Sequence, residues 1–144
     1  MDLIYLDYNC FQRGFDDLGQ VKIQLEAVSC EEIFSLAVNG KIRLAWSFMH
    51  EDENLVCPFI DRMVEVYRLS LYCEERIGPD MEIYSMAKSI QEKSRISSKD
   101  AVHLACAIHS KSRFFLTCDE RLLKGANKLD LEIAALGEYI RGRL

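Results

Sequence analysis

A chain of 144 residues is long enough to bury a full apolar core without metal or disulfide staples, and it is expected to form one domain spanning 1–144. Apolar residues make up 49% and charged residues 28%, a globular composition that excludes disordered and fibrous classes. The net charge of −5 argues against a protein that grips nucleic acid by bulk electrostatics.

The first residues, MDLIYLD, enter a strand at once, without the basic flank and apolar core of a signal peptide. No apolar run reaches the length of a membrane span, so a cytoplasmic protein with no membrane partner is expected. Cys10, Cys30, Cys57, Cys73, Cys106 and Cys118 form no CxxC pair and no finger-like spacing with histidine. They read as reduced thiols, several of them buried.

In chain order, Leu3 to Asp7 reads as a buried strand ending in a carboxylate, followed by a long loop, CFQRGFDDLGQ, whose polar run from Gly14 to Gln20 is a loop or a helix entrance. From Gln20 to Val38, Ile23, Ala27, Cys30, Phe34 and Ala37 recur at helical spacing, and Asn39-Gly40 closes that helix. Lys41 to Trp46 reads as a second strand. Ser47 then caps a short helix, FMHEDENLV, which Cys57-Pro58 ends. Pro58 suits the first turn of the next helix, whose apolar stripe is Ile60, Val64, Tyr67 and Leu71. After Gly78-Pro79 another helix runs from Asp80 to Lys93, with Ile83, Met86, Ala87 and Ile90 inward.

The segment from Ser97 to Leu123 carries most of the chemistry. Ala101 to Ile108 is apolar nearly all round, interrupted only by His103, as in helices buried inside a domain. Arg113 to Thr117 reads as a buried strand, Asp119 follows it, and a short helix, ERLLK, ends at Gly125. Leu129 to Ala134 reads as a last strand and Glu138 to Arg141 as a helical tail. Strands alternating with helices predict an α/β fold with a central parallel sheet and helices on both faces.

In such a sheet the carboxyl ends of the strands share one rim, where ligands bind. Asp7, the Glu51-Asp52-Glu53 cluster and Asp119 follow strands, and Asp100 heads the buried helix. Carboxylates brought together repel unless a cation lies between them, and magnesium or manganese suits an all-oxygen donor set. That is the chemistry of a metal-dependent nuclease or phosphatase. The same residues also serve as helix caps: Ser97-x-x-Asp100 resembles a capping box, and Thr117 or Asp119 can cap ERLLK. His103 is either a general base or a satisfied core histidine. Arg95, Lys99 and Arg121 flank the rim as phosphate contacts or solvated charges.

Taken together, LIYLDYN, SFMHEDEN, KDAVHLACA and FLTCDERLL resemble the PIN-domain superfamily from Leu3 to about Leu123. The family's first acid maps onto Asp7, with Asn9 two residues on and Tyr8 in place of the usual threonine. Periodicity leaves Glu51, Asp52 and Glu53 open; the family pattern counted from Ser47 selects Glu53. Asp100 and Asp119 are the third and fourth acids, with Thr117 as the hydroxyl beside the last. The resemblance implies a three-layer α/β/α domain and a Mg- or Mn-dependent endoribonuclease acting on RNA. Asp7, Glu53, Asp100 and Asp119 would be metal ligands and catalytic acids, and Asn9 and Thr117 would position substrate or water. Small members are often VapC-type toxins that form homodimers and are silenced by an antitoxin. The loop after Asp7 departs from that group and bears on the toxin role more than on the nuclease chemistry. The competing expectations are a PIN-like binding module without nuclease activity and an unrelated phosphatase or phosphotransfer receiver. The receiver would want a lysine at a late strand end, where Thr117, Cys118 and Asp119 stand instead.

Overall fold

A computed structural model describes residues 1–126 and 132–143. Strand β1 (Leu3–Leu6) is followed by a short helix, α1 (Tyr8–Gln12), a turn of 3-10 helix at Arg13–Phe15, and the long helix α2 (Val21–Val38). Strand β2 (Arg43–Ser47) leads through α3 (Phe48–Leu55) and α4 (Ile60–Ser70) to β3 (Glu75–Ile77). Helices α5 (Met81–Lys93) and α6 (Ser98–His109) precede β4 (Phe114–Thr117), α7 (Glu120–Gly125), β5 (Glu132–Ala135) and α8 (Leu136–Arg143).

The five strands form one sheet in the order β3-β2-β1-β4-β5, parallel throughout. Strand β1 is central, and all four of its residues are buried. This is why LIYL is an unbroken apolar run: strands covered on both faces lack the polar alternation of half-exposed ones. Side chains nonetheless divide with a period of two. Ile4, Leu6, Leu44, Trp46 and Leu116 pack with Phe11, Ile33, Phe34 and Val66 from α1, α2 and α4. Leu3, Tyr5, Ala45 and Phe115 pack with Ile83, Ile90, Leu104 and Ala105 from α5 and α6. The result is the expected PIN-like three-layer α/β/α architecture.

Several expectations need correction. The segment after Asp7 is α1 plus a 3-10 turn, and Arg13 pins it by pairing with Asp16 and with Glu26 of α2, each at 2.9 Å. Pro58 stands outside α4, whose N-cap is Phe59. Ile60, Val64 and Leu71 of the apolar stripe are 73%, 58% and 76% exposed, while Val66 and Ser70 are buried. Apolar spacing marks a face that avoids water but does not say which neighbour covers it. The edge strand β3 has no counterpart in the sequence reading, because three residues, one of them exposed, carry no usable period. The expected start of the last strand at Leu129 lies outside the described residues; within them the strand is Glu132–Ala135.

Because every strand runs the same way, the ends of β1, β2 and β4 share a rim. Helix α6 leads into the start of β4, so its own start returns to that rim. The topology thereby gathers Asp7, α3, the first turn of α6 and the β4–α7 junction.

Candidate active site

Asp7 occupies the N-cap position of α1, yet its side chain makes no capping bond. Instead Oδ2 accepts a 2.7 Å hydrogen bond from Thr117 Oγ1, and Thr117 Oγ1 accepts the Asp119 backbone N–H at 2.9 Å. One hydroxyl thus links the acid after β1 to the acid after β4. Asp7 is only 6% exposed. Burial pushes its carboxyl up to about 7, opposed by the Thr117 hydrogen bond and reinforced by the charges of Asp100 and Glu53.

The three acids of α3 separate by role. Glu51 accepts from Trp46 Nε1 at 3.1 Å and from the Tyr67 hydroxyl at 2.9 Å, which makes it a brace between β2 and α4. Asp52 is exposed. Glu53 turns towards the rim, where its Oε1 lies 2.6 Å from His103 Nε2. Burial raises the Glu53 carboxyl, with the Lys99 ammonium opposing.

Asp100 lies in the first turn of α6, but the cap is Ser97, whose Oγ accepts the Asp100 backbone N–H at 3.2 Å. The Asp100 carboxyl is therefore free of capping duty. Burial raises it, the hydrogen bond to Ser97 opposes, and Asp119 and Glu53 add like charge. Asp119 differs: its Oδ1 caps α7, accepting from Arg121 N–H at 2.9 Å and Leu122 N–H at 3.4 Å. For this acid the capping alternative is realised, with Oδ2 left over. Asn9 accepts the Cys10 thiol at 3.4 Å and, among the described residues, makes no hydrogen bond to any of the four acids. Lys99, Arg95 and Arg121 are exposed beside the rim.

His103 proves to be fully buried, and burial, then the Lys99 charge, lowers its pKa to about 3. It is a neutral core histidine, but one bonded to a site acid. The sequence reading missed this link, and it missed Tyr5 and His50 around it, taking Ser47 as a cap alone. Tyr5 hydroxyl lies 2.5 Å from His103 Nδ1 and 2.7 Å from Ser47 Oγ. Ser47 caps α3 as expected, in a capping box whose N3 residue is His50 where glutamate is usual. The available signal was spacing: His103 follows Asp100 by three residues, which puts both on one helix face.

No three carboxylate, imidazole or thiol side chains among the described residues converge closely enough to hold one ion. The donor chemistry nevertheless fits a hard divalent cation. Asp7 lies in the field of Asp100 and Glu53, Asp100 in that of Asp119 and Glu53, and burial raises all three carboxyls, a deficit of positive charge that a cation would relieve. Magnesium in particular keeps several waters and takes only one or two carboxylates. Two cavities, of about 550 and 510 Å³, lie elsewhere, beside α2 and α8 and among α1, α2 and α4, and none of the four acids lines either.

A sequence profile described as "PIN domain" matches residues 60–128, a span that contains Asp100, Thr117 and Asp119 but not Asp7, Asn9 or Glu53. No curated protein matches the sequence. Among solved structures, the chain is similar to one in the crystal structure of VapBC2 from Rickettsia felis bound to a DNA fragment from their promoter. The TM-score is 0.60 at 13% identity, over 92% of this chain and 98% of that one. At this identity the likeness is one of fold.

Proposed function

We propose that this chain, which is similar to the PIN-domain superfamily in its sequence profile over residues 60–128 and in its fold, is a divalent-metal-dependent endoribonuclease that hydrolyses phosphodiester bonds of RNA. The observation that carries the reading is the shared electrostatic field at the strand-end rim. Asp7, Glu53, Asp100 and Asp119 come from four separate elements; burial raises the carboxyls of the first three, and charges within this group add to the rise at Asp7 and Asp100.

In this reading Asp7, Glu53, Asp100 and Asp119 would hold Mg or Mn. The bound ion supplies Lewis acidity towards a phosphoryl oxygen and lowers the pKa of water. Thr117 holds the Asp7 carboxylate by its hydroxyl and ties it to the Asp119 backbone. Asn9, in the first turn of α1, orients water or phosphate, and Lys99 neutralises a backbone phosphate at the rim. The net charge of −5 makes such local contacts the source of affinity, in place of a broad basic face.

The similar fold from Rickettsia felis belongs to a VapBC2 assembly bound to promoter DNA. By analogy, the proposal includes a toxin role with an antitoxin that masks the rim, and a homodimer. Exposed Phe59, Ile60 and Val64 at the start of α4 support a protein partner there. The alternative of a binding module without cleavage draws on one observation, that Asp119 uses Oδ1 to cap α7.

The test is cleavage of a mixed single-stranded RNA by purified protein with manganese or magnesium, beside chelator and Asp100→Asn controls. Because Ser97 supplies the cap, the variant should fold. Products that vanish with chelator and in the variant support the nuclease. Chelator-indifferent RNA binding with no products overturns it in favour of the binding module.

A further inference from the structure

Beside the rim runs a buried polar chain: Ser47, Tyr5, His103 and then part-buried Glu53. The first three are 1%, 0% and 0% exposed. Buried polar groups must be paired, and here the pairing dictates where every proton lies.

The anchor is His50. Its Nδ1 accepts the Ser47 backbone N–H at 2.9 Å, so the proton sits on Nε2, which donates to the Leu6 carbonyl at 2.7 Å. Burial holds this ring neutral. The Ser47 hydroxyl lies nearer to Tyr5 Oη, at 2.7 Å, than to the occupied His50 Nδ1, at 3.3 Å, and the Cys106 thiol meets both hydroxyls; the direction is set from the far end, where the Glu53 carboxylate 2.6 Å from His103 Nε2 requires an N–H there and leaves Nδ1 as the acceptor. The Tyr5 hydroxyl then donates to His103 Nδ1. A neutral imidazole that accepts at Nδ1 carries its proton on Nε2, and that N–H points at Glu53 Oε1. The donors run one way, from Ser47 to Glu53, and the last oxygen of the chain is held as an acceptor.

We infer that His103 is a positioning residue for Glu53: Tyr5 and Ser47 lock its imidazole in the Nε2–H tautomer, and that N–H fixes Glu53 Oε1 so that Oε2 is presented to the rim. The inference rests on the reading of Glu53 as a metal ligand. Its physical basis is general: groups behind a ligand set the ligand's orientation, and their loss weakens metal binding although they never touch the ion. Geometry adds a second consequence. His103 lies on α6 three residues after Asp100, so the same hydrogen bond holds α3 and α6, each carrying one of the four proposed ligands, at a fixed separation.

The experiment is manganese titration by calorimetry of the purified full chain and of His103→Gln, His103→Leu and Tyr5→Phe, each checked for folding by thermal denaturation. Glutamine places an N–H donor close to where Nε2 stands; leucine removes it. The expected result is an affinity loss of about tenfold or more in His103→Leu, recovered in His103→Gln. Tyr5→Phe, nearly isosteric, should weaken binding in the same direction because the tautomer is no longer locked. Nitrogen-15 NMR of the histidine rings should show His103 as the Nε2–H tautomer. Unchanged manganese affinity in folded His103→Leu or Tyr5→Phe, equal losses in the glutamine and leucine variants, or an Nδ1–H tautomer each overturns the inference. If His103→Leu does not fold, Tyr5→Phe and the NMR signal still decide. If the variants rank as expected while the parent cleaves no RNA, the nuclease reading fails and the positioning role stands. If the parent binds no manganese, the positioning role falls too.

Discussion

Thr117 Oγ1 donates a 2.7 Å hydrogen bond to Asp7 Oδ2 from 110 residues further along the chain. Strands β1 and β4 are neighbours in the sheet, with Leu6 opposite Leu116, so each strand's next residue meets the other's. Thr117→Val keeps the shape and removes the donor. It should destabilise the fold by about 1–3 kcal/mol, because a buried carboxyl is left underbonded, and it should lower metal affinity. Thr117→Ser should retain both. Urea denaturation and manganese titration check the pair.

Asp7 also predicts a pH dependence. Its carboxyl rises from an ordinary value to about 7 on folding, so between about pH 4 and pH 7 the folded state binds more protons than the unfolded state. Stability then falls as pH rises through this window. The effect of Asp7 alone is of order 4 kcal/mol at most, at about 1.4 kcal/mol for each pH unit between the unfolded and folded values. In chelator, denaturation at pH 5 and pH 8 should show the wild type weaker at pH 8, with the difference much reduced in Asp7→Asn. Equal pH slopes in the two proteins would contradict the assignment. Added manganese should restore wild-type stability at pH 8 and leave Asp7→Asn unchanged.

Glu51 and Glu53, two residues apart, should behave as opposites. Glu51→Ala removes the acceptor shared by Trp46 and Tyr67 and should lower stability by about 1–2 kcal/mol with metal binding retained. Glu53→Gln should abolish metal-dependent cleavage with little loss of stability. A thermal midpoint and an RNA assay on both variants separate the roles; cleavage retained in Glu53→Gln would count against its place at the site.

Ser47 caps α3 through Met49 N–H and His50 N–H while its hydroxyl meets Tyr5. Ser47→Ala should destabilise by about 2 kcal/mol, the upper end for a lost cap, because Tyr5 loses its donor as well. Chemical denaturation measures this, and manganese affinity should fall with it.

If α4 forms part of a homodimer surface, a charge there should break the dimer. Val64→Glu, at a residue 58% exposed, should leave stability within about 0.5 kcal/mol of wild type, as exposed substitutions usually do. Light scattering should then show dimeric wild-type protein and a monomeric variant. An unchanged mass would remove α4 from the interface.

Much of the fold was legible because its signals are local. The cap at Ser47, the stop at Asn39-Gly40, where Gly40 takes φ 70°, and the apolar runs LIYL and FFLT depend on neighbours within a few residues. The four acids were legible only as a set attached to strand ends and helix starts. Composition and periodicity could not separate Glu53 from Glu51, because both lie on the same short helix and differ only in what stands opposite them. Nor could they show that Ile60, Val64 and Leu71 face outward, since a stripe carries no record of its partner.

By itself, then, the chain's linear order determined most of the strands and helices, though not α1 or β3, and which carboxylates follow them, because backbone sterics, capping and apolar spacing act over a few residues. Tertiary structure alone decided that Thr117 reaches Asp7, that Tyr5 and Ser47 aim His103 at Glu53, and that Glu51 braces Trp46 and Tyr67. Those bonds join residues from different elements, most of them brought together by the parallel sheet, and a hydrogen bond exists only where two groups come within about 3 Å in the right direction.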